Sequence, residues 1–143
     1  MSEHTERLVD GRVAIRFERS LRHPRELVWA ALTETEQLRR WFVDILDYDR
    51  STLAFAAGAA LTFVAGEEVV GRGTVTGYEP PVLLEFTWDE EVLRWELADQ
   101  GSGCRLTFTN IVDSPETAAA VAEGWSLSLE RIEATMGPVD ARG

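Results

Sequence analysis

The chain has 143 residues, 45% of them hydrophobic, with 25 acidic and 14 basic side chains and a net charge of −11. This length holds one core, the apolar content argues against a disordered chain, and the charge repels a phosphate backbone, so nucleic acid is not an expected partner. One cysteine (Cys104) and two histidines (His4, His23) leave no internal disulfide and no His- or Cys-rich zinc site, and no metal or cofactor is expected.

Along the chain, Met1 to Gly11 is polar and acidic, unlike the basic start and apolar centre of a signal peptide. No apolar run approaches the ~20 residues of a membrane span. The expectation is a single cytoplasmic domain over residues 1–143, with 1–11 a flexible tail and no membrane partner. Val13, Ile15 and Phe17 alternate with Arg16 and Glu18, which predicts a strand with one buried face running towards Leu21. His23-Pro24 opens a helix carrying Leu27, Val28, Ala31 and Leu32 at helical spacing. Thr33 and Glu36 have the spacing of a capping box, so a second short helix is expected to end near Trp41.

From Thr52 to Val112 the texture becomes short strands punctuated by glycine: Leu53–Ala56, Ala60–Val64, Val69–Tyr78, Leu83–Asp89, Val92–Asp99 and Cys104–Val112. A hairpin tip at Glu90-Glu91 places Trp88 opposite Leu93, Phe86 opposite Trp95 and Leu84 opposite Leu97. A tip at Gly101-Ser102 places Leu97 opposite Leu106, Trp95 opposite Phe108 and Leu93 opposite Asn110. Both registers gather Phe86, Trp88, Trp95, Leu97, Leu106 and Phe108 on one face. Gly71-Arg72-Gly73 lacks phosphate-loop spacing and reads as a small-residue strand bending the sheet.

Ser114 to Met136 predicts one long helix, with Ser114 as cap and Pro115 at its first position. Gly137-Pro138 is its expected stop. Its apolar stripe is Ala118, Val121, Trp125, Leu129, Ile132 and Met136. Gly124 in its interior costs ~1 kcal/mol relative to Ala, which suggests room left for another backbone or a ligand.

Three stretches, His23–Phe42 ("HPRELVWAALTETEQLRRWF"), Gly71–Trp88 ("GRGTVTGYEPPVLLEFTW") and Glu123–Ala134 ("EGWSLSLERIEA"), resemble the bacterial family named after the activator of the heat-shock protein 90 ATPase. The resemblance covers nearly the whole chain. It implies the α+β helix-grip fold of the START/Bet v 1-like superfamily: a curved antiparallel sheet, two short helices and a long C-terminal helix. Superfamily members share a cavity between sheet and final helix. The expected function is therefore binding of a small hydrophobic or aromatic molecule, with no catalytic residue assigned. The alternatives are a polyketide aromatase/cyclase-like enzyme, a co-chaperone-like module with a protein partner not yet identified, and self-sacrificing resistance to a reactive natural product.

The ligand-binding candidates are Trp41, Phe42, Phe86, Trp88, Trp95, Phe108, Asn110, Val121 and Trp125. Trp41-Phe42 is expected at the cavity mouth and Trp125 as its cover. Against this stands ordinary packing, because aromatic side chains dominate most cores. Asn110 faces inward and either orients a polar ligand atom or satisfies the backbone at a sheet edge. Cys104 reads as a small buried hydrophobe. The carboxylates cluster at Asp44/Asp47/Asp49, Glu67/Glu68 and Asp89/Glu90/Glu91, and the last two clusters read as solvated hairpin tips.

Overall fold

The computed structural model describes residues 2–136. The elements run β1 (Ser2–Arg7), β2 (Val13–Leu21), α1 (Arg25–Thr33), α2 (Thr35–Trp41) and β3 (Ala60–Ala65). β4 (Glu68–Glu79), β5 (Leu83–Trp88), β6 (Glu91–Gln100), β7 (Gly103–Val112) and α3 (Pro115–Met136) complete them. The strands form one curved antiparallel sheet in the order β1-β2-β7-β6-β5-β4-β3, with α3 packed over β2 and β7. Curvature is helped by register shifts between Phe63 and Val64 and between Val75 and Gly77, where an extra residue on one strand bends the ladder.

β2 shows how the face is chosen. Val13, Ile15, Phe17 and Leu21 are buried at alternate positions, as the period of two requires. Arg19 shares that inward face. Its Nη2 donates to Ser126 Oγ on α3 at 3.3 Å, its Nη1 donates to the Glu18 carbonyl at 3.0 Å, and its guanidinium lies 5.8 Å from the Phe17 ring centroid. A buried cation so held ties the long helix to the sheet.

Several expectations need correction. Ser2–Arg7 is not a loose tail but an edge strand, each residue paired with one of β2 from Ser2 opposite Glu18 to Arg7 opposite Val13. It buries almost no apolar side chain, so backbone hydrogen bonds hold it. Leu53–Ala56 forms no strand; a single bridge joins Thr52 to Thr62. Leu53 is buried there without a ladder, because the chain turns away at Gly58, whose N–H donates to the Val75 carbonyl. The capping box is absent as well. Thr33 Oγ1 donates back to the Trp29 carbonyl at 2.8 Å, and Glu34 precedes α2 with no side-chain cap.

The β6–β7 hairpin has the expected register, with Trp95 opposite Phe108 and Leu93 opposite Asn110. The β5–β6 hairpin is shifted by two residues. Phe86 lies opposite Leu93 rather than Trp95, Leu84 opposite Trp95 rather than Leu97, and Trp88 opposite Glu91 rather than Leu93. Its tip is Asp89-Glu90, with Asp89 at φ 55°, a left-handed conformation aspartate tolerates better than most residues. A shift of two preserves side-chain parity, so Phe86, Trp95, Leu97, Leu106 and Phe108 still share the buried face. Ser114 caps α3, accepting the Thr117 N–H at 3.2 Å, and Pro115 is its first residue. The expected stop at Gly137-Pro138 lies outside the described residues.

Candidate ligand-binding cleft

The space between sheet and α3 is occupied mainly by rings. Trp95 stacks on Phe108 at 3.9 Å and 19°, Trp125 meets Phe108 edge-on at 4.7 Å, and Trp41 meets Trp95 edge-on at 5.4 Å. Stacked and edge-to-face rings at such separations add attraction beyond their buried area. Trp41, Phe86, Trp95 and Phe108 are each at most 2% exposed. None of these four lines the cleft beside them, and they pack as core. Trp41 in particular is not at a mouth: its indole N–H donates to the Ala31 carbonyl at 2.7 Å and fixes α2 against α1.

Beside this column a cleft of about 430 Å³ opens between α3, the segment after α2, and the β5–β6 tip. Four of the predicted site residues line it: Phe42, Trp88, Val121 and Trp125. Phe42 lies 6.4 Å from Trp88 and 6.0 Å from Trp125, centroid to centroid, so three rings bound one apolar space. Trp88 is held from behind. It stacks on Phe63 at 3.9 Å and 5°, donates its indole N–H to the Val70 carbonyl at 3.2 Å, and lies across Gly71. Any Cβ at position 71 would overlap that indole, and one at position 73 would overlap the Thr87 carbonyl, so both glycines make room for close neighbours. On the helix side Gly124 and Ser128 also line the cleft. A Cβ at Gly124 would meet no atom within 4 Å, so no backbone among the described residues requires a glycine there.

Asn110 is fully buried behind the cleft rather than in it, and its amide is engaged on both sides. Nδ2 donates to the Val92 carbonyl at 3.1 Å and to Glu91 Oε1 at 3.3 Å, while Oδ1 accepts the Trp125 indole N–H at 2.9 Å. It therefore sets the orientation of two wall residues, Glu91 and Trp125. Burial raises the Glu91 carboxyl above its ordinary value, with Asp113 and Asp89 pushing the same way and the Asn110 hydrogen bond opposing them.

Sequence reasoning did not place Glu91 in the wall, nor Val43, Leu127 and the Asp44–Arg131 pair. Arg131 Nη1 donates to both Asp44 oxygens at 3.0 Å, bridging α3 to the segment after α2 along the rim. Tyr48 steadies that segment by donating its hydroxyl to the Val43 carbonyl at 2.7 Å, and burial pushes its phenol up. A signal for Arg131 was available, since it follows Val121, Gly124 and Ser128 at helical spacing; Asp44 had none. A second cleft of about 710 Å³ shares Trp88 and Glu91 and is lined otherwise by Arg12, Asp89, Glu90, Asp113 and Thr117. Cys104 is wholly buried and its thiol is pushed up to about 11 by desolvation.

Among the described residues no helix is long and apolar enough to cross a membrane. Solved structures share the fold. The protein MLL2253 from Mesorhizobium loti is 22% identical, with a TM-score of 0.74 over 89% of this chain and 98% of that one. The conserved protein of unknown function EF2215 from Enterococcus faecalis is 22% identical, with a TM-score of 0.77 over 97% and 79%. CalU16 from Micromonospora echinospora is 20% identical, with a TM-score of 0.70 over 96% and 85%. No curated protein matches the sequence. The model of the family described as "Activator of Hsp90 ATPase homolog 1-like protein" matches residues 22–137, from before α1 to the end of α3, and the chain belongs to that family.

Proposed function

We propose that the protein binds a small, flat, hydrophobic molecule in the cleft between α3 and the β5–β6 tip. The observation that carries this reading is the set of three rings, Phe42 and Trp88 with Trp125 of α3, beside a helix position held by Gly124, which bound an open space of about 430 Å³. Pockets of this size, apolar with a few polar groups at the edge, suit small-molecule ligands. A ligand burying ~200 Å² of apolar surface there gains about 5 kcal/mol before association costs. Affinity from the rings alone is therefore weak, and polar contacts must supply the rest.

The binding site proposed here is smaller than the aromatic set suggests. Trp41, Phe86, Trp95 and Phe108 support the wall from behind, and Asn110 orients it. The test is a titration of the protein with naphthylmethanol, followed by indole N–H shifts in NMR. Saturable shifts at Trp88 and Trp125, with Trp41 unmoved, support the cleft. Shifts centred on Trp41 and Trp95, or none at all, sink it.

A further inference from the structure

The polar groups around the cleft are lopsided in charge, and the imbalance falls on one residue. In the first cleft the ionisable side chains are Asp44, Arg131 and Glu91. Arg131 is engaged by Asp44 through both carboxylate oxygens, which cancels that pair locally. In the second cleft Arg12 is engaged by Asp10 at 2.7 Å, leaving Asp89, Glu90, Asp113 and the shared Glu91. Asp89 Oδ1 accepts the Arg72 backbone N–H at 3.0 Å, and the neighbouring Thr117 and Ser114 hydroxyls hold the Asp113 carboxyl below its usual range. Among the described residues, no cationic side chain forms an ion pair with Glu91. Its side-chain partner is the neutral Asn110 amide at 3.3 Å.

An occupant of the ring-walled cleft would lie against that carboxylate and strip water from it. A neutral apolar occupant leaves a charge that is dehydrated and short of donors, which is costly. An anion adds repulsion from Glu91, Asp89 and Asp113. A cationic nitrogen removes the cost, supplies charge-assisted hydrogen bonds, and is attracted by the faces of neighbouring indoles. Asn110 cannot turn to relieve Glu91, because its Oδ1 is bound to Trp125 and its Nδ2 is shared with the Val92 carbonyl. We propose that the ligand is a flat aromatic amine, its ring against Phe42, Trp88 and Trp125 and its protonated nitrogen donating to the Glu91 carboxylate. This rests on the cleft being the binding site and adds the ligand's charge and orientation.

Three probes of one shape separate the two claims: naphthylmethylamine, naphthylmethanol and naphthoate, titrated at neutral pH and low salt with the Trp88 and Trp125 indole shifts as readout. The amine should bind about tenfold or more tighter than the alcohol, with the carboxylate weakest. Glu91→Gln, whose amide oxygen still accepts from Asn110, should erase the amine's advantage by weakening the amine and tightening the alcohol, which no longer strips water from a charge. Asp113→Asn, an exposed change, should trim the preference about twofold through the weaker field. An amine no tighter than the alcohol, or a preference that survives Glu91→Gln, overturns the cationic ligand while the cleft stands. A carboxylate that binds best overturns it too, and would mean Arg131 leaves Asp44 to meet the ligand. Silence from all three probes at Trp88 and Trp125 removes the cleft reading along with it.

Discussion

Replacing Gly124 probes the cleft while leaving every ring of its wall in place. The residue lies in the interior of a 22-residue helix, where glycine costs about 1 kcal/mol relative to alanine. A Cβ there meets no atom within 4 Å, so no clash offsets the gain. Gly124→Ala should therefore stabilise the protein by about 0.5–1 kcal/mol, through better helix propensity and a less flexible unfolded chain. For a domain of this length that is a rise in Tm of about 2–3 °C. Gly124→Leu keeps most of the helical gain but puts a branched side chain into the 430 Å³ space. It should keep the higher Tm and lose naphthylmethanol affinity by about tenfold or more. Thermal unfolding followed by circular dichroism, paired with the NMR titration, reads both. A lower Tm for Gly124→Ala would mean that something packs over the helix at that point. Unchanged binding in Gly124→Leu would move the site elsewhere.

Asn110→Ala strands the Trp125 indole N–H and the Val92 carbonyl in a buried setting, and should cost about 2–4 kcal/mol in urea unfolding. A loss below about 1 kcal/mol would mean that cleft water replaces the amide. Glu91 is raised above the ordinary glutamate value of 4.5, so above that pH the folded state holds its proton more tightly than the unfolded one, and stability falls as pH rises through the raised value. Glu91→Gln lacks that loss, so the variant's Tm should gain on the wild type from acid to neutral pH; parallel curves would refute it. Cys104, with its thiol near 11 and no exposure, should resist thiol-exchange reagents until urea unfolds the chain. Full labelling of the native protein within minutes would contradict the burial.

Sequence pattern carried much of the fold because parity and turn chemistry are local. Gly101 at φ 62° fixes the β6–β7 tip, and with it Trp95 opposite Phe108. The β5–β6 tip lacked a glycine, and the choice between Glu90-Glu91 and Asp89-Glu90 turned on aspartate's tolerance of positive φ, a weaker cue. β1 was invisible to hydrophobic alternation, since Ser2–Arg7 has no apolar side chain to alternate. The cue that remained was Asp10-Gly11, a turn pair with Gly11 at φ 91° and its N–H on the Leu8 carbonyl. For the cleft, period-two and helical arithmetic identified which rings face inward but not which of them still meet open space. That depends on where α3 crosses the sheet, and it separates Trp88 and Trp125 from Trp95 and Phe108. Glu91 was read as a hairpin tip, and the two-residue shift is what carried it into β6 and the wall.

The placement of Trp88 over Gly71 makes two distant positions behave as one inherited character. A substituent at 71 larger than hydrogen would push the indole off Phe63 and out of the wall that the two clefts share. Lineages that acquire a side chain at 71 should therefore carry a smaller residue at 88, and glycine should accompany tryptophan. Paired libraries at 71 and 88 would then change the width of the cleft, and the size of molecule it admits, with α3 and the aromatic core left as they are.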